Sequence, residues 1–128
     1  MITFYYSNRY HPPAPILEIV IRDDDNHESV PYEVLVDSGA DATVIPKSWL
    51  KGLNVTPTRS GNMTIHWGDR RPATLYGVDI RIGTIVLPAI EVVADPKSKG
   101  GILGRDALNQ LRVVLNGWAE VVEVDDDL

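Results

Sequence analysis

Short apolar runs rich in β-branched residues, each ended within a few positions by turn formers, constrain this chain more than any other feature. Ile16–Ile21 and Val30–Val36 flank Asp23-Asp24-Asp25-Asn26-His27 and read as a hairpin. The three aspartates lack the alternating oxygen ligands and terminal Glu of a calcium loop, so a solvated turn is expected there. Asn62–Trp67 and Ala73–Ile82 form a second pair across Gly68-Asp69-Arg70-Arg71, and Ile85–Val93 follows the turn at Ile82-Gly83-Thr84. Ala94–Gly100 is a polar loop. Asn116-Gly117, between Val113–Leu115 and Ala119–Val124, is a strong hairpin signal. At the other end Pro12, Pro13 and Pro15 stiffen the segment separating an aromatic strand, Ile2–Tyr6, from the body. Many short strands with one short helix imply an all-β barrel or sandwich. A length of 128 residues fits a single domain, 1–128.

One strand ends unusually. Val34-Leu35-Val36 runs into Asp37-Ser38-Gly39-Ala40-Asp41, an apolar run that carries a carboxylate to its end. Burying a carboxylate is costly without compensation. Ser38 can orient a neighbour, and Gly39 allows close approach of backbone or ligand. Taken alone, these residues are equally well read as a strand closing in an Asx-type turn. Thr43-Val44-Ile45 then resumes as a strand, and Pro46–Lys51 reads as one helical turn with Pro at its start. Further on, Gly101-Ile102-Leu103-Gly104-Arg105-Asp106 reads as strand, glycine and helix, with Leu108 and Leu111 on one helix face. Arg105 in the first turn opposes the helix dipole. Another partner must want that guanidinium, and Asp41 is the candidate.

Asp-Ser-Gly-Ala-Asp, followed about sixty residues later by Ile-Leu-Gly-Arg-Asp, resembles the retropepsins, single-domain aspartic proteases of the retroviral type. The resemblance runs from about Ile16 to Leu115 and is specific in those two motifs. It implies a closed barrel with a flap hairpin and one short C-terminal helix, active as a C2 homodimer that cleaves polypeptide without a cofactor. By that resemblance Asp37 is the acid–base group, and the Ser38 hydroxyl bonds across the twofold axis. Gly39 places a carbonyl against substrate. Ala40 and Asp41 line the substrate site, and Arg105 holds Asp41 in a partly buried bidentate pair, whose disruption would cost about 3–5 kcal/mol. Gly104 packs its strand beneath the acidic loop. The Asn62–Ile82 hairpin takes the place of the flap, with Trp67 and Gly68 over substrate. The flap departs from the viral pattern, having Gly68 alone beside Trp67, Asp69, Arg70 and Arg71; the arginines are either solvated or read acidic substrate side chains. The chain also runs on past Asn116 through Trp118 to Val124, as in cellular and bacterial retropepsin-like proteins, so its dimer sheet must be built differently, with the Asn-Gly hairpin a candidate.

The chain has one Asp-x-Gly and therefore half of a carboxylate pair. Two acids about 3 Å apart cannot both ionise, and a twofold dimer supplies the second. Ala40 offers no hydroxyl to lower the pair's pKa, which implies activity reaching weakly acidic to near-neutral pH. Two other readings stand beside this one: a catalytically silent peptide-binding module of the same fold, and a β-sandwich adaptor in which both motifs are coincidental. A net charge of −6 argues against nucleic acid as partner. No apolar stretch approaches the ~20 residues of a membrane span, and the N-terminus lacks signal-peptide character, so a cytoplasmic setting is expected. There is no cysteine, and His11, His27 and His66 show no metal-ligand spacing. The Asp125–Leu128 tail has no assigned role.

Overall fold

Alternation builds the core. Leu17, Ile19 and Ile21, each fully buried, project from one face of the strand Ile16–Arg22 (β2). They meet Val34 from Tyr32–Val36 (β3), Ile45 from Val44–Pro46 (β4), and Val78, Ile80 and Ile82 from Arg70–Ile82 (β6). Leu87, Ile90 and Val92 from Ile85–Asp95 (β7) and Leu103 from Gly101–Leu103 (β8) complete this cluster. The computed structural model describes residues 1–64, 68 and 70–127.

The strands are hydrogen-bonded in the order β2-β3-β8-β4-β7-β6, and pairing of β2 with β6 (Val20↔Arg81, Ile21↔Ile80) closes the barrel. Closure leaves the six barrel strands without a free edge. Two parallel pairs interrupt the antiparallel pattern, β3 with β8 and β4 with β7. Pro57–Thr64 (β5) lies outside the barrel and pairs only with β6. A separate sheet has the order β1-β10-β9, formed by Ile2–Tyr5, Val121–Val124 and Val113–Asn116. Its Val122 and Val124 are fully buried against the barrel. Lys47–Leu50 is a single 3₁₀ turn behind Pro46.

Several expectations need adjusting. β5 begins at Pro57, earlier than its apolar residues suggest, because all of Pro57–Asn62 is exposed and carries no inward face. Trp67 and Asp69, like His66, lie outside the described residues. The helix (α1) is one turn, Arg105–Leu108. Leu108 and Leu111 nonetheless both pack on the core, because the Leu111 N–H bonds the Leu108 carbonyl at 3.1 Å and continues the curve. The Asn116-Gly117 signal marks a hairpin with a longer loop through Glu120, where the Asn116 side chain accepts the Ala119 N–H at 3.0 Å. At the tail, Asp126 accepts a hydrogen bond from the N-terminal ammonium.

The acidic turn after β2 is not wholly solvated. Asp23 is 3% exposed. Its Oδ1 accepts the N–H groups of Asp25 (2.9 Å) and His27 (2.8 Å), and its Oδ2 accepts the N–H of Asn54 (2.8 Å). These bonds, that from Asn54 foremost, hold its pKa below the ordinary carboxyl value. A lowered native pKa stabilises the fold above the ordinary value near pH 4 and ceases to do so as pH falls through the lowered one. Asp23→Asn should therefore melt below the native chain at neutral pH, with the gap narrowing on acidification below about pH 4. Thermal melts from pH 2.5 to 7 measure this, and a pH-independent gap would refute it.

Candidate active site

Asp37 follows β3 directly, and its N–H donates to the Leu103 carbonyl at 3.1 Å, which extends the β3–β8 ladder by one bond. The chain then turns. The Ala40 N–H bonds the Asp37 carbonyl (3.2 Å), and the Gly39 N–H donates to Asp37 Oδ1 (3.0 Å). A Cβ on Gly39 would stand 3.2 Å from that oxygen, so any side chain there would crowd the carboxylate. The Asp37 side chain is thus oriented just beyond the end of β3 and is half-buried; it is not itself among the residues that line the neighbouring cleft.

The loop is fastened to the β8–α1 junction. The Arg105 N–H bonds the Ala40 carbonyl at 2.9 Å. Thr43, fully buried, donates its Oγ1–H to Asp106 Oδ1 (2.7 Å) and accepts the Gly104 N–H (3.1 Å), while its own N–H donates to Asp106 Oδ2 (3.0 Å). The Ala107 N–H gives the Asp106 carboxylate a third donor, at Oδ1 and 2.9 Å. Gly104 is required by this approach, because a Cβ would come within 2.5 Å of the Ala42 carbonyl oxygen. Thr43 and Asp106 were not singled out from the sequence. The available signal was a polar residue heading the apolar run Val44-Ile45, with an acid beside Arg105.

Arg105 does reach the acidic loop. Its Nη2 donates to Asp41 Oδ1 at 2.7 Å and its Nη1 to the Ser38 carbonyl at 2.8 Å. The pair differs from the expected partly buried, bidentate one, since Asp41 receives a single bond and the side chains are 44% and 92% exposed. Solvent screening brings its worth to about 0–1 kcal/mol. The role of Arg105 is geometric: it pins the Ser38 carbonyl.

A cleft of about 470 Å³ lies between this loop and the β5–β6 hairpin. Gly39, Ala40 and Asp41 line one side, with Ala42, Val44 and Val93; Asn62, Met63, Thr64, Ala73 and Leu75 line the other. Gly68 is exposed, with φ +77, and is not among the lining residues. Of the two hairpin arginines, Arg70 is exposed, whereas Arg71 is neither a fully solvated residue nor a free reader of substrate charge. It pairs with the buried Asp95 at the end of β7, whose Oδ1 also accepts the Lys97 N–H at 3.0 Å. Pairing of β6 with β7 ends at Thr74↔Ala94, so the Arg71–Asp95 pair ties the projecting part of the hairpin to the barrel.

Asp23, Asp25 and His27 bring possible ligand atoms within 4.8 Å of one another, but both Asp23 oxygens already accept backbone N–H groups. Among the described residues, no helix is long and apolar enough to cross a membrane.

The fold and this loop define a retropepsin-like aspartic protease architecture. Residues 26–110 match the family described as "gag-polyprotein putative aspartyl protease", and the chain belongs to that family. No curated protein sequence matches it. Among solved structures, a retropepsin-like aspartic protease from Rickettsia conorii is similar over 95% of this chain and 98% of its own, with TM-score 0.62 and 14% identity. An inhibitor-bound EIAV protease is similar over 84% of this chain and 93% of its own, with TM-score 0.56 and 22% identity. The retroviral protease-like domain of Ddi1 from Leishmania major is similar over 88% of this chain and 90% of its own, with TM-score 0.54 and 16% identity.

Three substitutions should separate these contacts by unfolding in denaturant. Thr43→Val leaves Asp106 and the Gly104 N–H short of partners and should cost about 1–3 kcal/mol. Arg71→Ala strands a buried carboxylate and should cost about 3 kcal/mol, the low end for breaking a buried pair. Asp41→Asn should change stability by under about 1 kcal/mol. Equal losses for all three would contradict the burial argument.

Proposed function

We propose that this chain is an aspartic endopeptidase in which Asp37 and its symmetry copy activate water at a homodimer interface. The observation that carries the reading is a single oriented carboxylate, Asp37, in a loop whose next residues, Gly39 to Ala42, line a cleft shared with the β5–β6 hairpin. Family membership supports the chemistry.

Peptide hydrolysis by carboxylates needs one ionised group to take a proton from water and one protonated group to polarise the scissile carbonyl. Two facing acids share one proton and titrate as a pair. The handling of one chain's single Asp-Ser-Gly follows from symmetry: each protomer brings one Asp37. As general base, the ionised Asp37 removes a proton from the water, whose oxygen attacks the carbonyl carbon. The protonated copy donates to the carbonyl oxygen, and a carboxyl then returns a proton to the leaving amine. The Gly39 N–H keeps the carboxylate in the plane of the turn, and the Ser38 hydroxyl, exposed at the surface, is free to bond across the axis. Gly39, Ala40 and Asp41 bind the substrate main chain. Contact of Trp67 and Gly68 with substrate rests on the sequence resemblance alone, since Trp67 lies outside the described residues and Gly68 does not line the cleft. The substrate is extended polypeptide, and no cofactor is needed. The whole chain, 1–128, acts as one catalytic domain in the cytoplasm.

The test is incubation of an unfolded protein or a peptide library with the native chain and with Asp37→Asn, which is nearly isosteric but lacks the carboxylate. The variant should lose about 10²–10⁴-fold in cleavage rate. Equal cleavage by both would eliminate the mechanism. Cleavage by neither, with peptide bound by a stable dimer, would assign the chain as a peptide-binding module instead.

The pH profile is a second check. Ala40 offers the dyad its N–H-bearing backbone and a methyl group but no hydroxyl to stabilise the ionised form. Cleavage should extend from weakly acidic to near-neutral pH. Activity confined to strongly acidic conditions would contradict this.

A further inference from the structure

A second cavity lies further back along β3 from Asp37. It encloses about 440 Å³ and shares no lining residue with the cleft beside Gly39–Ala42. Tyr10, Tyr32 and Trp49 line it, together with Arg9, Lys99 and Glu33. Its aromatic wall is built before any ligand arrives. The rings of Tyr32 and Trp49 stack with centroids 4.1 Å apart and planes 5° from parallel. Gly101 makes room for them, since a Cβ there would stand 2.7 Å from the Trp49 ring. The two cations sit on fastened loops. Arg9 lies in the loop closed by paired Ser7–Ala14 backbone bonds (2.8 and 3.2 Å), and its own N–H donates to Ser7 Oγ at 3.2 Å. Lys99 is bridged by the Ser98 hydroxyl, which donates to the Gly100 carbonyl at 2.6 Å.

We propose that this pocket docks an acidic, aromatic segment of the polypeptide substrate, remote from the bond that is cut. The inference rests on the endopeptidase reading of Asp37. Arg9 and Lys99 are exposed and form no ion pair among the described residues. In a chain of net charge −6, two such cations at one pocket favour an anionic occupant. Glu33 is the one acid among the lining residues and opposes them only in part. Arginine can receive a carboxylate through two parallel N–H donors, and the aromatic wall takes a flat ring beside it by offset or edge contact. An aromatic residue followed by acids offers both groups on one short stretch of chain. A nucleotide has similar chemistry, but the overall negative charge repels a polyanion. Distance separates docking from cutting. Tyr32 precedes Asp37 by five residues on one extended run, about 16 Å at 3.3 Å per residue. An extended substrate that fills both sites therefore carries its docking residue about five or more positions from the scissile bond.

Fluorescence anisotropy of a dye-labelled short peptide, a Trp followed by two Glu, gives the test, because it reads binding without cleavage. The native chain should bind it, less tightly as salt rises from about 0.05 to 0.5 M. The same peptide with Gln in place of Glu should bind about tenfold more weakly. The double variant Arg9→Ala/Lys99→Ala should lose about tenfold in affinity for the acidic peptide, and Glu33→Gln should gain about twofold. That gain decides the matter if the double variant does not fold. In cleavage assays the double variant should raise KM about tenfold at unchanged kcat for a long substrate carrying the segment. A short substrate without the segment should be cut as by the native chain. Equal affinity of all three proteins for the peptide would overturn the docking site, as would tighter binding of a single-stranded oligonucleotide or loss of kcat on both substrates. Pocket-dependent peptide binding with no cleavage of any substrate would sink the endopeptidase reading and leave the peptide site standing.

Discussion

The acidic loop is anchored where it re-enters the barrel by the part-buried bond between the Thr43 hydroxyl and the Asp106 carboxylate. Residues 38–42 lie outside the strands and cannot be fixed by a ladder. Their position is set where the chain re-enters the barrel, and there Thr43 spends its hydroxyl twice, as donor to Asp106 and acceptor from Gly104. A buried hydroxyl with both functions satisfied has one available orientation, and each bond forfeited would leave an unpaired group out of water. Asp106 in turn takes three donors. The result is a rigid floor, made by two segments more than sixty residues apart in sequence. The more conspicuous Arg105–Asp41 pair lies outside it in solvent and directs a carbonyl without stabilising the floor appreciably.

The roof is attached by a different means. β6 leaves the barrel ladder after Thr74 and continues only as half of a two-stranded hairpin, a structure with little stability of its own. Arg71 reaches back from this stretch to Asp95, which also fixes the Lys97 N–H. One carboxylate therefore holds both the projecting hairpin and the first residues of the loop after β7. Displacement of the hairpin that breaks the pair leaves Asp95 buried without its cation, so hairpin position and the packing of that loop are coupled.

The sequence made most barrel strands legible because each has one buried face and alternation reports it. β5 escaped at its start for the converse reason: outside the barrel it has no buried face, and Pro57-Thr58-Arg59-Ser60-Gly61 carries no period to read. Asp23 read as a solvated turn residue because its decisive donor, the Asn54 N–H, is brought to it only by tertiary folding. The same holds for Thr43 and Asp106, two common polar residues whose mutual distance is invisible before the barrel closes. Arg105 and Asp41 were paired correctly because a cation in the first turn of a helix is a local anomaly, and local anomalies survive in sequence. What sequence could not supply was their exposure, and with it the energy of the pair.

The extended C-terminus changes what assembly has to accomplish. Val122 and Val124 of β10, with Ile2 and Phe4 of β1, complete the packing of the outer sheet within a single protomer. The closed barrel likewise needs no strand from outside. A folded monomer is therefore physically reasonable for this chain, whereas many obligate dimers have none. Folding and assembly then become separable steps. Under the proposed dyad, contacts between copies contribute to association and not to the protomer's own stability. Well below the dissociation constant the concentration of active sites rises with the square of protomer concentration, because each site requires two copies. Under that proposal a dilute protomer is folded and silent, and mass action assembles its site as local concentration rises.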